Sequence, residues 1–426
     1  MKNSACLGFW QQVRPAINLV VVVAGLGYFV DLFHITLFGV VRISSFKDLG
    51  ITDPAELMQA GVLSYNAQMI GMMIGGIFWG ILGDKIGRYV ILTVPIVIYS
   101  LGSIANVFVQ DATSYAICRF ITGIGLAGEL GAAITLVSET LPKEIRGIGT
   151  TIVATLGLLG AVFAGLFGQM LYWKTAYVIA GLMGFVLLAI RLKVLDRAIV
   201  DKHKSTQSNR GNFRLLFDRE RGFKYIKCIL VGVPVYYITG VMFTFAPELT
   251  RNMNIQGTVT AGNTILWGTI GLTTGDFVSG LLSQLLKSRN KAVMACLFAA
   301  FIGSVIYLNL NGVTPFWINF MCFFIGTAAG YWAVLVTLAA EQFGTNIRAT
   351  VATTVPNFVR GAAALVVFLF AHLNNYIGIV PSASLIGAIL FGLALLSLWT
   401  LEETFGRDLN FEEVTNQQQQ SKAQTF

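Results

Sequence analysis

Residues 75–88 read GGIFWGILGDKIGR, and residues 275–289 read GDFVSGLLSQLLKSR. When the two stretches are superposed at an offset of 200 positions, Gly75 matches Gly275 and Gly80 matches Gly280. In both, small residues at helical spacing lead into a short basic segment. Such a match at a fixed distance is typical of a chain that consists of two related halves.

A second pair of stretches supports this duplication. Glu139 and Arg146 stand seven positions apart in SETLPKEIRGIGTT, and Glu341 and Arg348 keep this spacing in AEQFGTNIRATVATT, 202 positions later. Two matches at nearly one offset predict two parallel halves of six helices each.

The composition places these halves in a lipid bilayer. Apolar residues make up 55% of the chain and charged residues 12%, which leaves too few polar groups to cover a water-soluble surface. A bilayer core of roughly 30 Å needs about 20 apolar residues per helix, and many segments have this length. We interpret the first apolar run, near Ile17, as a span and not as a removable signal peptide. The chain is therefore predicted to be an all-α membrane protein.

The apolar segments predict twelve transmembrane helices in two pseudo-symmetric six-helix bundles. The first six cover about residues 17–41, 60–82, 89–109, 114–137, 149–171 and 176–192. The second six cover about residues 225–247, 260–286, 292–310, 316–339, 350–377 and 382–400.

The polar segments divide the chain into four parts. Residues 1–192 are assigned to the N-terminal half, residues 193–224 to a basic cytoplasmic linker, residues 225–400 to the C-terminal half, and residues 401–426 to a cytoplasmic tail. The linker is the longest polar break, and we expect part of it to lie on the membrane surface.

The basic residues predict which ends of the helices face the cytoplasm. Alternate loops carry most of them: Lys85, Arg88, Lys143, Arg146, Lys287, Arg289, Lys291 and Arg348, together with the segment from Arg191 to Lys224. The other loops are assigned only four: Arg42, Lys47, Lys174 and Arg251. Because cytoplasmic loops are enriched in Lys and Arg, both termini are predicted to lie inside the cell and the protein in the inner membrane.

Several function classes are not supported. The five cysteines stand singly, which argues against a disulfide framework or a metal cluster. We find no glycine-rich phosphate loop with its lysine, which argues against an ATP-driven pump. We therefore expect no enzymatic activity, no cofactor and no nucleic-acid partner.

Four stretches resemble motifs of the major facilitator superfamily, and the resemblance covers essentially the whole chain. Residues 80–88 (GILGDKIGR) resemble its loop between helices two and three, and residues 119–129 (RFITGIGLAGE) its helix-four signature. Residues 139–147 and 402–409 resemble motifs of the sugar-porter-like and metabolite:proton symporter branches. The resemblance implies secondary active transport by alternating access of a central site.

Charges near the ends of the spans are candidates for gates. The resemblance implies that Asp84 and Arg88 are switchable charges of the first half. We add the matched acid–base residues of both halves: Glu139, Arg146, Arg289, Glu341 and Arg348. The alternative is that these are solvated charges, whose exposed salt bridges contribute only ~0 to 1 kcal/mol.

Charges inside the spans are candidates for coupling and binding, because an ionisable group at membrane depth is costly without a partner. Asp31, Glu129, Asp276 and Arg360 are each expected within about two turns of the midplane, by counting from the span ends. In related proton-coupled porters an arginine at the position of Arg119 pairs with an acid at the position of Asp31. The resemblance therefore implies proton coupling through Asp31 and Arg119; the alternative is a permanent ion pair that only holds helices together. Glu129, in the glycine-rich part of helix four, is added as a candidate for proton or substrate contact; the alternative is an acid hydrogen-bonded inside the first half.

The substrate contacts are less specific in the sequence. Our candidates are His34, one turn from Asp31; Glu129; the pseudo-equivalent Tyr331; Asp276; and Arg360. Asp276 and Arg360 either hold a charged substrate group or pair with each other. Of the many aromatic residues in the second half, we select only Tyr331.

These observations predict an importer of a small polar metabolite (an organic acid, an amino acid or a sugar) by proton symport. We expect its partners to be the substrate, protons and lipid, and we expect it to act as a monomer. The alternatives are a proton-driven exporter of a metabolite or siderophore, and a transporter-like membrane sensor.

Overall fold

The computed structural model describes residues 18–86, 88–129, 131, 133, 137, 141, 146–194, 218–345 and 347–406. Within these residues the chain forms long helices joined by short turns, and the structure shows no strand there. Ten stretches of the described chain are long and apolar enough to cross a membrane.

The helices follow the predicted segments closely. The first group comprises α1 Leu19–Asp48, α2 Pro54–Ile86, α3 Arg88–Ala105, α4 Ala112–Leu126, α5 Arg146–Met170 and α6 Trp173–Val194. The second comprises α7 Arg219–Tyr237, α8 Ala261–Leu285, α9 Arg289–Leu308, α10a Pro315–Ala329, α10b Trp332–Glu341, α11 Arg348–Ile377 and α12 Ile379–Thr400.

Polar side chains before several helices explain where those helices begin. Asn18 accepts a hydrogen bond from the backbone N–H of Val21 at 2.9 Å, and Asp111 accepts one from Ser114 at 2.7 Å. These contacts satisfy N–H groups that have no partner inside the helix. The backbone hydrogen bond from Ser114 also lowers the pKa of Asp111 below its usual value.

Three features differ from the expected spans. Helix α1 continues to Asp48. Arg42 and Lys47 therefore lie in a helix, whereas the sequence predicted them in a loop. Helix α7 contains Pro234 and continues as a π-helix, a rare wider turn, over Ile238–Phe243. The tenth span is divided at Gly330, whose backbone packs so closely on α8 that a side chain would meet Leu272 and Asp276.

The helices pack as two groups of six with contacts between them. In the first group the most extensive contacts are α1 with α5 and α2 with α4, and in the second α8 packs on α10a and α7 on α12. Between the groups, α2 packs on α11 and α5 on α8. Gly160 permits the approach of α5 to α1, since a Cβ there would meet the Phe29 carbonyl.

The short connections alternate between two faces of the bundle. We call the face at which α1 begins the N-terminal face, and the face at which α1 ends the opposite face. At the opposite face, Tyr172 and Trp173 donate hydrogen bonds to Asp48 at 2.6 and 3.0 Å. This contact joins the end of α1 to the start of α6.

Candidate substrate and proton site

A cavity of about 130 Å³ lies between the two halves. Helices α1, α2 and α5 line it on one side, and α7, α8 and α10b on the other. Six aromatic side chains form much of its wall: Tyr28, Phe38, Tyr65, Tyr236, Phe243 and Trp332. Because drug-sized ligands occupy about 300–1,000 Å³, this cavity suits a small ligand.

A charged cluster adjoins this cavity. The Arg360 Nε donates a hydrogen bond to the Tyr236 hydroxyl at 2.9 Å, and its Nη2 lies 3.8 Å from Oδ2 of Asp31. Both charged side chains are buried, and the two Nη atoms have no hydrogen-bond acceptor within the described chain. Arg360 therefore joins the halves by charge and keeps two donors for a further acceptor.

Arg119 does not contact Asp31 in this structure. Its guanidinium lies over the Tyr177 ring at 5.3 Å and near the Phe38 ring at 6.0 Å. None of its nitrogen atoms has a hydrogen-bond partner in the described part of the chain. The expected Asp31–Arg119 pair is replaced by Asp31–Arg360, because Arg119 points into the packed interior of the first half.

Glu129 has a partner that the sequence did not indicate. Arg191 of α6 forms a buried ion pair with it, through two hydrogen bonds, and donates a third to the Leu92 carbonyl at 2.9 Å. Gly27 of α1 packs against this pair. From the sequence, Arg191 is counted among the cytoplasmic basic residues at the end of the sixth span, whereas the structure buries it in the last turn of α6. The apolar residues on both sides of Arg191 are the sequence feature that could have indicated its burial.

Asp276 does not pair with Arg360. Its Oδ1 accepts a hydrogen bond at 2.9 Å from the backbone N–H of Ala333, at the start of α10b. A carboxylate is favourable there because the first N–H groups of a helix carry partial positive charge. The contact stabilises the break in the tenth span.

Tyr331 and His34 do not line the cavity. The Tyr331 hydroxyl is buried and donates to the Val231 carbonyl at 2.9 Å, while the adjacent Trp332 reaches the cavity. The Nδ1 of His34 lies 2.7 Å from the Val30 carbonyl, and its ring packs on Tyr99 at 5.0 Å. Adjacent positions of a helix point in different directions, so Tyr331 and His34 can point away from the cavity although their neighbours in the chain line it.

The gating candidates whose side chains the structure describes contact other residues of the second half. Arg289 and Glu341 form an ion pair at 3.3 Å, and Arg348 donates to the Phe343 carbonyl at 3.2 Å. Residues after α12 join this cluster. Thr404 donates to Glu341 at 2.6 Å, and Glu403 accepts from the Arg289 N–H at 2.9 Å.

The remaining gating candidates cannot be compared with the structure. The side chains of Asp84, Arg88, Glu139 and Arg146 lie outside the part of the chain that it describes. Their gating role stays a prediction.

Comparison with known proteins identifies the fold. The family model for the Major Facilitator Superfamily matches residues 24–367, which is most of the chain. The chain belongs to the major facilitator superfamily. It is thus a multi-pass membrane transporter with two six-helix bundles, as its motifs predicted, and it is not an enzyme.

Relatives within the superfamily carry metabolites. The chain is 27% identical to the niacin transporter NiaP of Acinetobacter baylyi over 77% of this chain and 80% of the relative. It is 26% identical to the sialic acid transporter NanX of Escherichia coli over 72% and 80%. A solved D-xylose-proton symporter has the same fold, with a TM-score of 0.69, 16% identity and coverage of 92% of this chain and 99% of that one.

One further ion pair of this transporter joins the halves near the opposite face. Arg42 of α1 lies 2.7 Å from Glu248, in the short helix Ala246–Thr250 that follows α7. It also donates to the Thr244 carbonyl at 3.1 Å and lies over the Phe245 ring at 4.4 Å. Both charges are buried, so we interpret this contact as the closure of the cavity on that side. Sequence reasoning missed it because Arg42 was assigned to a loop.

Removing one charge of this pair should open the opposite face. Arg42→Gln leaves Glu248 buried without its partner, which costs the closed state about 3–5 kcal/mol. We expect faster modification of a Thr36→Cys probe in the cavity by a membrane-impermeant thiol reagent applied to the opposite face. The exchanged pair Arg42→Glu with Glu248→Arg should restore slow labelling, and equal labelling in all three proteins would contradict the assignment.

Proposed function

We propose that this transporter imports small monocarboxylic acids with a planar ring, by symport with protons. The observation that carries the proposal is Arg360, which offers two free donors beside Asp31 and next to an aromatic cavity. The N-terminal face, with its basic residues, is then the cytoplasmic face, and both termini lie inside.

Arg360 supports a carboxylate as the substrate's charged group. A guanidinium presents parallel N–H donors that match both oxygens of a carboxylate, and such bonds are strong away from water. Nε is already held by Tyr236, which leaves the Nη atoms for the substrate. This arrangement positions an acid between the halves.

The aromatic wall supports a planar ring. Tyr236 and Trp332 pack edge to face at 5.6 Å, and such side chains favour stacked or edge contacts with another ring. Thr36, Thr239 and Thr269 add hydroxyl groups to the wall. The niacin relative carries a ring acid of this kind, whereas a cavity of about 130 Å³ offers little room for a large polyhydroxylated acid.

Asp31 explains how a proton would be coupled to this acid. An ionised Asp31 and a substrate carboxylate would compete for Arg360, and two like charges in a low-dielectric site repel strongly. Protonation of Asp31 removes the repulsion and frees Arg360 for the substrate. Proton and acid therefore bind together, and an inward proton gradient drives import.

The other predicted coupling residues lie in the same half as Asp31. Glu129 and its partner Arg191 pack against Gly27 of α1, one turn from Asp31. Arg119 adds a positive charge in the same half. The charges of Glu129, Arg191 and Arg119 contribute to the electrostatic potential in the first half, while Asp31 is the group that carries the proton.

Uptake of a ring acid should depend on both its carboxylate and the proton gradient. In proteoliposomes we expect an inward proton gradient to accelerate uptake of radiolabelled niacin. Nicotinamide, which has the same ring but no carboxylate, should be neither transported nor competitive. Gradient-independent niacin uptake would reject symport, and uptake of sialic acid without niacin would reject the substrate class.

Asp31→Asn should separate binding from coupling. The amide has the size and neutrality of the protonated acid, so niacin counterflow at equal pH should continue while accumulation driven by the proton gradient is lost. Asp276→Asn is the matched control, because an amide oxygen still accepts the Ala333 N–H bond. If Asp31→Asn still accumulates niacin, Asp31 is not the coupling residue.

Trp332→Leu should weaken ring recognition. Loss of the aromatic contact is expected to cost about 1 kcal/mol, or roughly fivefold in niacin affinity. Trp267→Leu provides the control, since Trp267 is 40% exposed on the outside of α8. Equal affinities for the two variants, measured by competition during uptake, would exclude Trp332 from the site.

A further inference from the structure

Buried polar groups without partners follow one face of α3 in the N-terminal half. Tyr99 and Ser103 lie one turn apart, and Asn106 follows just after the helix. All three are fully buried, and their side-chain polar atoms have no hydrogen-bond partner among the described residues. Since buried polar groups normally have partners, such a row is typical of a site for ordered water.

The row connects the opposite face with Asp31. Asn106 lies at the far end of α3, and Tyr99 is about 10 Å deeper along the helix. There the Tyr99 ring meets the His34 ring at 5.0 Å, and Asp31 lies one turn before His34 on α1. The Nε2 of His34 and both Asp31 carboxylate oxygens also have no hydrogen-bond partner in the described chain.

The C-terminal half has a different arrangement at the corresponding positions. Arg88 and Arg289 match at an offset of 201, which places Ser304 of α9 opposite Ser103. The Ser304 hydroxyl donates to the Ala300 carbonyl of its own helix at 2.7 Å. At the same offset Asn106 matches Tyr307, whose hydroxyl donates to the Met242 carbonyl at 3.3 Å. Asn309, two positions further on, is exposed and donates to the Val305 carbonyl at 2.8 Å. The unpartnered row is therefore not a requirement of the repeated fold.

The row is also separate from the substrate cavity. The residues that line the cavity include none of Asn106, Ser103, Tyr99 and His34. It nevertheless ends close to the proposed coupling residue, because the Tyr99 ring packs on His34, one turn from Asp31 on α1.

We infer that this row is a hydrated proton path, which runs inside the N-terminal half from the opposite face to Asp31. The inference rests on the proposed proton symport and assigns the route by which the proton arrives. Water bridging Asn106, Ser103 and Tyr99 hands a proton to Nε2 of His34. The imidazolium returns that proton through water to a carboxylate oxygen of Asp31, so that His34 ends neutral and Asp31 ends protonated.

The neighbouring charges fit this direction of transfer. Arg119 of α4 lies 6.0 Å from the Phe38 ring, one turn from His34 on α1, so a cationic His34 would have a like charge nearby. Asp31 faces Arg360 of α11. Glu129, which follows α4, adds a further buried acid to the same half. The proton therefore passes His34 and rests on Asp31, where it frees Arg360 for the substrate.

Apolar substitutions along the row should slow coupled transport and spare the substrate site. We expect Ser103→Val, Asn106→Leu and the near-isosteric Tyr99→Phe to reduce niacin uptake driven by a pH gradient by about 10-fold or more, as for loss of a proton-transfer group. Niacin counterflow at equal pH should stay within about twofold of wild type, since exchange needs no net proton movement. Ser304→Val, at the position that matches Ser103, and the exposed Asn309→Leu are the controls and should leave both rates unchanged.

The outcomes distinguish this inference from the proposed function. In an Asp31→Asn background, Tyr99→Phe should have no further effect on counterflow, because the path ends at Asp31. If wild-type uptake ignores the pH gradient, symport and the path are both rejected. If wild-type uptake is coupled but the row variants match the controls, or lose counterflow as much as uptake, only the path is rejected.

Discussion

Asp31 and Arg360 face each other at 3.8 Å across the boundary between the halves, in a region that water does not solvate freely. Each charge would be costly there alone, and the pair is held by helices that belong to different halves. The site therefore depends on the halves being together. Neutralisation of the Asp31 carboxylate changes which groups Arg360 can bind. Because the two residues belong to different halves, the protonation state of Asp31 is linked to the arrangement of the halves.

The second cross-half ion pair has a different consequence. Arg42 and Glu248 are joined near the opposite face, next to the end of the cavity that Thr244 lines. Their contact contributes to one conformation of the transporter and is absent once the halves separate on that side. A transporter of this type needs two arrangements of similar free energy. One buried pair that must break and reform can bias that equilibrium without touching the substrate.

The two halves share a fold but differ in their buried polar groups. The N-terminal half contains Arg119, the Glu129–Arg191 pair and the row along α3, whereas Asp276 of the C-terminal half binds the start of α10b. Aromatic residues of the cavity come from both. This division is consistent with a first half that handles protons and a second half that supplies the carboxylate anchor, while each half supplies three of the six aromatic side chains of the cavity.

The sequence by itself determined the membrane setting, the repeat and the helix segments, because apolar length and matched motifs are properties of the chain alone. It also identified Asp31 and Arg360 as buried charges, since a charge inside an apolar run is visible without a structure. The tertiary structure decided their partners. Which way Arg119, Arg191 or Trp332 points depends on the rotation of each helix and on its neighbours, and their partners, which are distant in the chain, meet them only after packing.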